Sequence, residues 1–150
     1  MKGKARAVKL KRKVKTVLFV CVHNAGRSQM AEAFFNYFTK GGAVAYSAGT
    51  QPSSTINPTV VEAMRETGIG ISKNKPKLMT LEMAEKADRV ITMGCGGIDG
   101  ACPGAIIQAE DWGIEDPHGK SLEVIRKIRD EIKRRVSMLL DEIELRESAG

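Results

Sequence analysis

Residues 17 to 38 constrain the fold most. Val17-Leu-Phe-Val20 is a β-branched and aromatic apolar run, short enough for a strand buried on both faces. The turn-like His23-Asn-Ala-Gly26 follows at once. From Ser28 the apolar residues Met30, Ala31, Phe34, Phe35 and Phe38 recur at helical spacing, and Gly41-Gly42 ends the pattern. A strand that runs through a tight loop into a helix is the opening unit of a parallel sheet, because the chain must cross back over the sheet before the next strand can pair.

The rest of the chain repeats that alternation. Ala43 to Ser47 reads as a strand, Gly49 to Ser54 as a loop, and Pro58 to Thr67 as a helix stopped by Gly68. A helix near Thr80 to Ala87, a strand Arg89 to Met93 and a short strand around Ala105 to Ala109 follow. Leu122, Ile125, Ile128, Ile132, Val136, Leu139 and Ile143 then form an apolar stripe at spacings of three and four, with Ser121 placed to cap it. The expectation is an α/β three-layer sandwich: a central four-stranded parallel sheet, helices on both faces, and an anion-binding loop after the first strand.

The length, 150 residues, suits one domain. The formal charge of +6 is unevenly spread: residues 1 to 15 hold eight Lys and Arg and no acid, so residues 16 to 150 carry 16 basic against 18 acidic groups. The expected organisation is a basic, disordered extension over 1–15 and a single domain over 16–150. Eight positive charges attract polyanions, but without interleaved aromatics or a recognisable binding fold they do not predict a specific nucleic-acid site. No apolar run reaches the roughly 18 residues of a membrane span. The basic stretch before Thr16 to Val22 imitates a secretory signal, yet polar His23-Asn24 follows it with no small-residue cleavage pattern. Three cysteines, Cys21, Cys95 and Cys102, are too few and odd in number for a disulfide framework. The expectations are a cytoplasmic protein, no membrane contact and a monomer.

In α/β folds ligands sit beyond the carboxyl ends of the strands. Here that position is Cys21-Val-His-Asn-Ala-Gly-Arg27-Ser28. Such a loop can wrap the backbone N–H groups of Val22, His23, Asn24, Ala25, Gly26, Arg27 and Ser28 around an oxyanion at a helix N-terminus. Asn24 and Gly26 tolerate the left-handed backbone a wrap can require, and the planar fork of Arg27 can grip two oxygens of a tetrahedral anion. The same positive surroundings favour a thiolate on Cys21, the nucleophilic form, with Ser28 as a hydroxyl donor. A departing oxygen needs a proton, and Asp116, aimed by Pro117, is the candidate acid; Asp111 and Glu115 are alternatives.

Cys95 and Cys102 lie in a segment in which five of the eleven residues from Gly94 to Gly104 are glycine, which predicts backbone freedom. Two further thiols suit redox chemistry: one can resolve an adduct on Cys21 and another can carry the resulting disulfide outward. Zinc is disfavoured, since six residues separate the pair and only His23 and His118 could complete a site. No metal or cofactor is expected.

Taken in order, Cys21 to Ser28 with Gln29-Met-Ala-Glu32, Thr92-Met-Gly-Cys95, Cys102-Pro103 and Asp111-Trp-Gly through Asp116-Pro117 resemble the arsenate reductases of the thioredoxin-coupled type, which share the low-molecular-weight tyrosine phosphatase fold. The resemblance implies that Cys21 attacks arsenate, for which phosphate or sulfate are mimics, held by the loop amides and Arg27, and that Asp116 protonates the departing hydroxide. It implies further that Cys95 attacks Cys21 and releases arsenite, and that Cys102 attacks Cys95, leaving a disulfide for thioredoxin or a similar thiol reductant. Asn24 and Ser28 would shape the loop, and Trp112 would pack beside it. Many relatives carry a cysteine just before the loop arginine, where this chain has Gly26. The competing expectation is a low-molecular-weight tyrosine phosphatase hydrolysing phosphate monoesters through a cysteinyl-phosphate. Members of that kind resemble Arg-Ser-Pro after the loop and a Met-Asp pair after the third strand, whereas this chain has Gln29 and Met93-Gly-Cys95.

Overall fold

A computed structural model of the chain describes residues 14–94 and 109–149, with the side chains of 145–149 left out. β1, Thr16–Cys21, pairs in parallel with β2, Val44–Gly49, on one side and with β3, Arg89–Thr92, on the other. β4, Glu110–Asp111, extends β3, so the four-stranded parallel sheet has the order β2-β1-β3-β4. β1 is buried along nearly its whole length, which is why it reads as an unbroken apolar run. The strand expected around 105–109 falls outside the described residues except for Ala109, which is irregular; the fourth strand follows it as two exposed acidic residues.

Alternate residues of β1 face opposite layers. Val17, Phe19 and Cys21 pack with α1, Arg27–Phe38, with α2, Pro58–Arg65, and with α4, Leu122–Ala149. Leu18 and Val20 face the short α3, Leu81–Lys86, and its Ala84. Helices therefore cover both faces, as the alternation predicts. The stripe of α4 is buried from Ile125 to Ile143.

Local chemistry sets the helix ends. The Asn57 side chain accepts the Thr59 N–H at 2.9 Å with Pro58 in the first turn, and the Thr80 and Ser121 hydroxyls accept from Met83 and Val124. Gly68, at φ +84, ends the turn after α2. The edge strand β2 is covered where Asn36 on α1 pairs its amide with both the N–H and C=O of Ala45, at 2.8 and 3.0 Å, occupying groups that a foreign strand would otherwise take. Among the described residues no helix is long and apolar enough to cross a membrane.

Glu66, just past α2, ties that helix to α4. Arg126 grips its carboxylate at 2.6 to 3.1 Å, and Arg129 donates to it at 2.8 Å and to the Ala63 carbonyl at 2.9 Å. The Arg126 hydrogen bonds, with Arg129 behind them, lower the Glu66 pKa from 4.5 to about 2. A depressed folded-state value stabilises the fold above the unfolded value, and that contribution fades as pH falls from about 4.5 toward about 2. Glu66→Gln is therefore expected to lower Tm at neutral pH, with the gap to wild type closing as pH falls through that window and narrowing in high salt. Thermal melts across pH check this, and a gap independent of pH would refute it.

A candidate oxyanion-binding active site

The chain leaves β1 to form β2 on one side and later returns to form β3 on the other, so β1 stands at the point where strand order reverses. The crevice beyond its carboxyl end is where open α/β sheets bind ligands. Three connections meet there: the loop after β1, the residues after β3 and the segment after β4.

The first of these is turned inside out relative to an ordinary loop. Its carbonyls point away from the crevice: Cys21 O accepts from Thr50 N–H at 3.2 Å, Val22 O from Gln51 at 2.8 Å, His23 O from Ser53 at 3.0 Å, Ala25 O from Asn57 at 2.9 Å and Gly26 O from Met30 at 2.9 Å. In a trans peptide the C=O of one residue and the N–H of the next point in opposite directions, and none of the described peptides is cis. The N–H groups of Val22, His23, Asn24, Gly26 and Arg27 are therefore turned inward. Asn24 bears this out, because its N–H donates to Cys21 Sγ at 3.1 Å. Gly49 permits the wrap, since a Cβ there would lie 2.6 Å from Val22 O. The loop ends at the N-terminus of α1, which has no side-chain cap and no acid in its first turn, leaving its free N–H groups and positive end to the crevice.

Of the two residues expected to be left-handed, only Asn24 is, at φ +51. Gly26 has φ −149 and ψ −87. Its lack of a side chain serves packing instead: a Cβ there would lie 2.7 Å from Pro117 Cγ.

A buried hydrogen-bond chain leads to the sulfur. The Lys77 backbone N–H, which can only donate, reaches Asn24 Oδ1 at 2.9 Å, and Gln29 Nε2 donates to the same oxygen at 3.0 Å. Asn24 must then turn Nδ2 toward Ser28, whose Oγ it meets at 2.7 Å. With Ser28 Oγ accepting there, its own hydrogen is free for Cys21 Sγ, 2.8 Å away. Asn24, Ser28 and Gln29 are fully buried and Cys21 nearly so. Asn24 N–H and Ser28 Oγ thus converge on Cys21 Sγ, the first as a donor and the second free to be one.

Arg27 is buried beside them. Its Nη1 donates to the carbonyls of Gly94 and Ile114, both at 3.0 Å, which fixes the plane of the guanidinium. These carbonyls are the roots of the second and third connections. Gly94, at φ +121, allows their approach, since a Cβ there would lie 2.9 Å from Ile114 O.

Cys21, His23, Gly26 and Arg27 share a cavity of about 40 Å³ with Ser53, Asn57, Asp116, Pro117 and His118. No Phe, Tyr or Trp is among its described lining residues. Asp116 is exposed at the rim, its Oδ1 accepting the His118 N–H at 3.0 Å. The alternative acids are elsewhere engaged: Asp111 accepts from Thr92 Oγ1 at 2.6 Å and Glu115 pairs with Lys120 at 3.9 Å. Trp112 packs on Phe19, ring centres 5.6 Å apart. The structure thus brings Cys21 through Ser28 together with Asp116. Cys95 and Cys102 lie outside the described residues, though Gly94, immediately before Cys95, touches Arg27. Ser53, Asn57 and Lys77 carry no sequence signal for the site. Gln29 stands in the motif that continues the loop, but nothing near it in the sequence signals its hydrogen bond to Asn24.

The family model for low molecular weight phosphotyrosine protein phosphatase matches residues 16–149. An arsenate reductase of Staphylococcus aureus strain N315 is 37% identical over 121 residues, covering 79% of this chain and 91% of that protein. A solved structure of an arsenate reductase in the phosphate-binding state superposes with a TM-score of 0.74 at 38% identity, covering 86% of this chain and 98% of that one. A thioredoxin-dependent arsenate reductase from Corynebacterium glutamicum gives a TM-score of 0.70 at 36% identity, covering 96% of this chain and 71% of that one.

Proposed function

The chain belongs to the low molecular weight phosphotyrosine protein phosphatase family, and from that premise we propose that it reduces arsenate to arsenite through a relay of three thiols. The observation that carries this reading is Cys21 Sγ, hydrogen-bonded to the Asn24 N–H and Ser28 Oγ in a small cavity shared with Arg27 and Asp116. A cavity of about 40 Å³ holds roughly three waters, the scale of a tetrahedral inorganic anion.

The inward amides and the Nε and Nη2 edge of Arg27 bind the arsenate oxygens. Cys21 thiolate attacks arsenic; an As–O bond breaks, and Asp116 gives its proton to the departing oxygen, which leaves as water. Cys95 thiolate then attacks Cys21 Sγ. The S–S bond forms as the S–As bond breaks, and its electron pair stays on arsenic, taking As(V) to As(III). Cys102 attacks Cys95 Sγ, which frees Cys21 and leaves a Cys95 to Cys102 disulfide. A dithiol such as thioredoxin restores that pair, in keeping with the name of the Corynebacterium glutamicum relative. A reducing cytoplasm is the compartment this cycle needs.

A second reading, hydrolysis of phosphate monoesters, is favoured by the family itself. It uses the same cradle, with water attacking a Cys21 phosphate instead of Cys95 attacking sulfur. One experiment separates the two. With thioredoxin, its reductase and NADPH, added arsenate is expected to oxidise one NADPH per arsenite formed. Ester hydrolysis with no arsenate-dependent NADPH oxidation would leave the phosphatase reading.

A further inference from the structure

Pro117 is the one buried residue between Glu115 and Ser121. Everything around it in the turn is exposed, including Asp116. The turn closes on Pro117, whose carbonyl accepts the Lys120 N–H at 3.1 Å, while Asp116 holds its own orientation through the His118 N–H. The position of the Asp116 carboxyl at the cavity it shares with Cys21 is therefore set by where the Pro117 ring seats. It seats on Gly26: a Cβ at position 26 would fall 2.7 Å from Pro117 Cγ, and Val60 Cγ2 stands at 3.5 Å from the same point. A pyrrolidine ring cannot swing aside as a long side chain can, so a larger residue at 26 forces the turn and the loop apart. The φ of Gly26, −149, is outside the left-handed region that favours glycine.

We propose that Gly26 is a positioning residue for the acid: it is the seat that lets Pro117 dock against the anion loop and brings Asp116 to the cavity rim. The proposal rests on the reading of Asp116 as the proton donor, and its test separates the two.

Gly26→Ala is expected to lower turnover of arsenate and of phenyl phosphate about 100-fold, the scale of a misplacement of about 1 Å at a reacting group. Turnover of 4-nitrophenyl phosphate, whose leaving group needs less protonation, falls less. The affinity for inorganic phosphate, measured by calorimetry, stays within about threefold, because alanine keeps every inward N–H of the loop. Adding Gly26→Ala to Asp116→Asn costs nothing further if the effect runs through Asp116. Pro117→Ala removes the docked ring without any collision and so serves where Gly26→Ala fails to fold. It is expected to spare phosphate affinity, to lower phenyl phosphate turnover about tenfold, and to be made no worse by Gly26→Ala, the colliding Cγ being gone. Wild-type turnover in Gly26→Ala, additive loss on Asp116→Asn, or loss of phosphate binding in Pro117→Ala would overturn the proposal. Wild-type leaving-group dependence in Asp116→Asn would instead overturn the assignment of the acid.

Discussion

Cys21→Ser is expected to stop both arsenate reduction and ester hydrolysis, a fall on the order of 10⁴-fold or more, while inorganic phosphate binds at least as tightly as to the wild type. The two halves of that expectation have separate physical sources. Turnover needs the sulfur, because a serine hydroxyl at this position has no base to activate it: the Asn24 N–H donates toward position 21, Ser28 is free to do so, and neither can take a proton from it. Binding needs the cradle, and the cradle is made of backbone. The carbonyls of Cys21, Val22, His23 and Ala25 are fixed by amides of residues 50 to 57, and the plane of Arg27 is fixed by Gly94 and Ile114. None of those contacts passes through sulfur. Turnover assays with phosphate titration calorimetry check both halves. Loss of binding together with turnover would mean that the sulfur organises the loop.

The features that could be read in the sequence are those whose physics is local. An apolar run, helical spacing, cap residues and stop glycines act within a few residues, and β1, α1, α2 and α4 follow from them. β4 could not be read so, because its two residues are exposed acids with no periodicity, held only by pairing with β3. The site divides in the same way. Cys21, Asn24, Arg27 and Ser28 stand together in one loop with a strand before it and a helix after it, which is enough to suggest an anion cradle. What orients their hydrogens is not local: the Lys77 N–H, 53 residues away from Asn24, decides which way the amide faces and hence where the Ser28 hydroxyl points. Gly26 shows how a correct residue can carry a wrong reason. Glycine in a tight loop suggests left-handed backbone, but the constraint comes from Pro117, 91 residues further on, and no pattern near position 26 reveals it.

The relay makes a sharper demand than the cradle does. Reducing arsenic takes two electrons, and a single cysteine that ends in a disulfide needs a second sulfur as partner. Cys95→Ser is therefore expected to lower arsenate-dependent NADPH oxidation through thioredoxin to background, while ester hydrolysis, which asks only for Cys21, Arg27, Asp116 and water, stays within about threefold of wild type. The contact between Gly94 O and Arg27 Nη1 gives the expectation its structural footing: the residue before Cys95 is tethered at 3.0 Å to a side chain that lines the cavity with Cys21. A small monothiol supplied in place of thioredoxin sharpens the result. Free in solution, it can attack the arsenic adduct on Cys21 without any help from position 95. Activity restored to Cys95→Ser by the monothiol, and not by thioredoxin, assigns Cys95 the role of internal resolving thiol. Undiminished turnover with thioredoxin in that variant would instead mean that an external thiol resolves the adduct in the wild type as well, and that Cys95 is not in the path of the electrons.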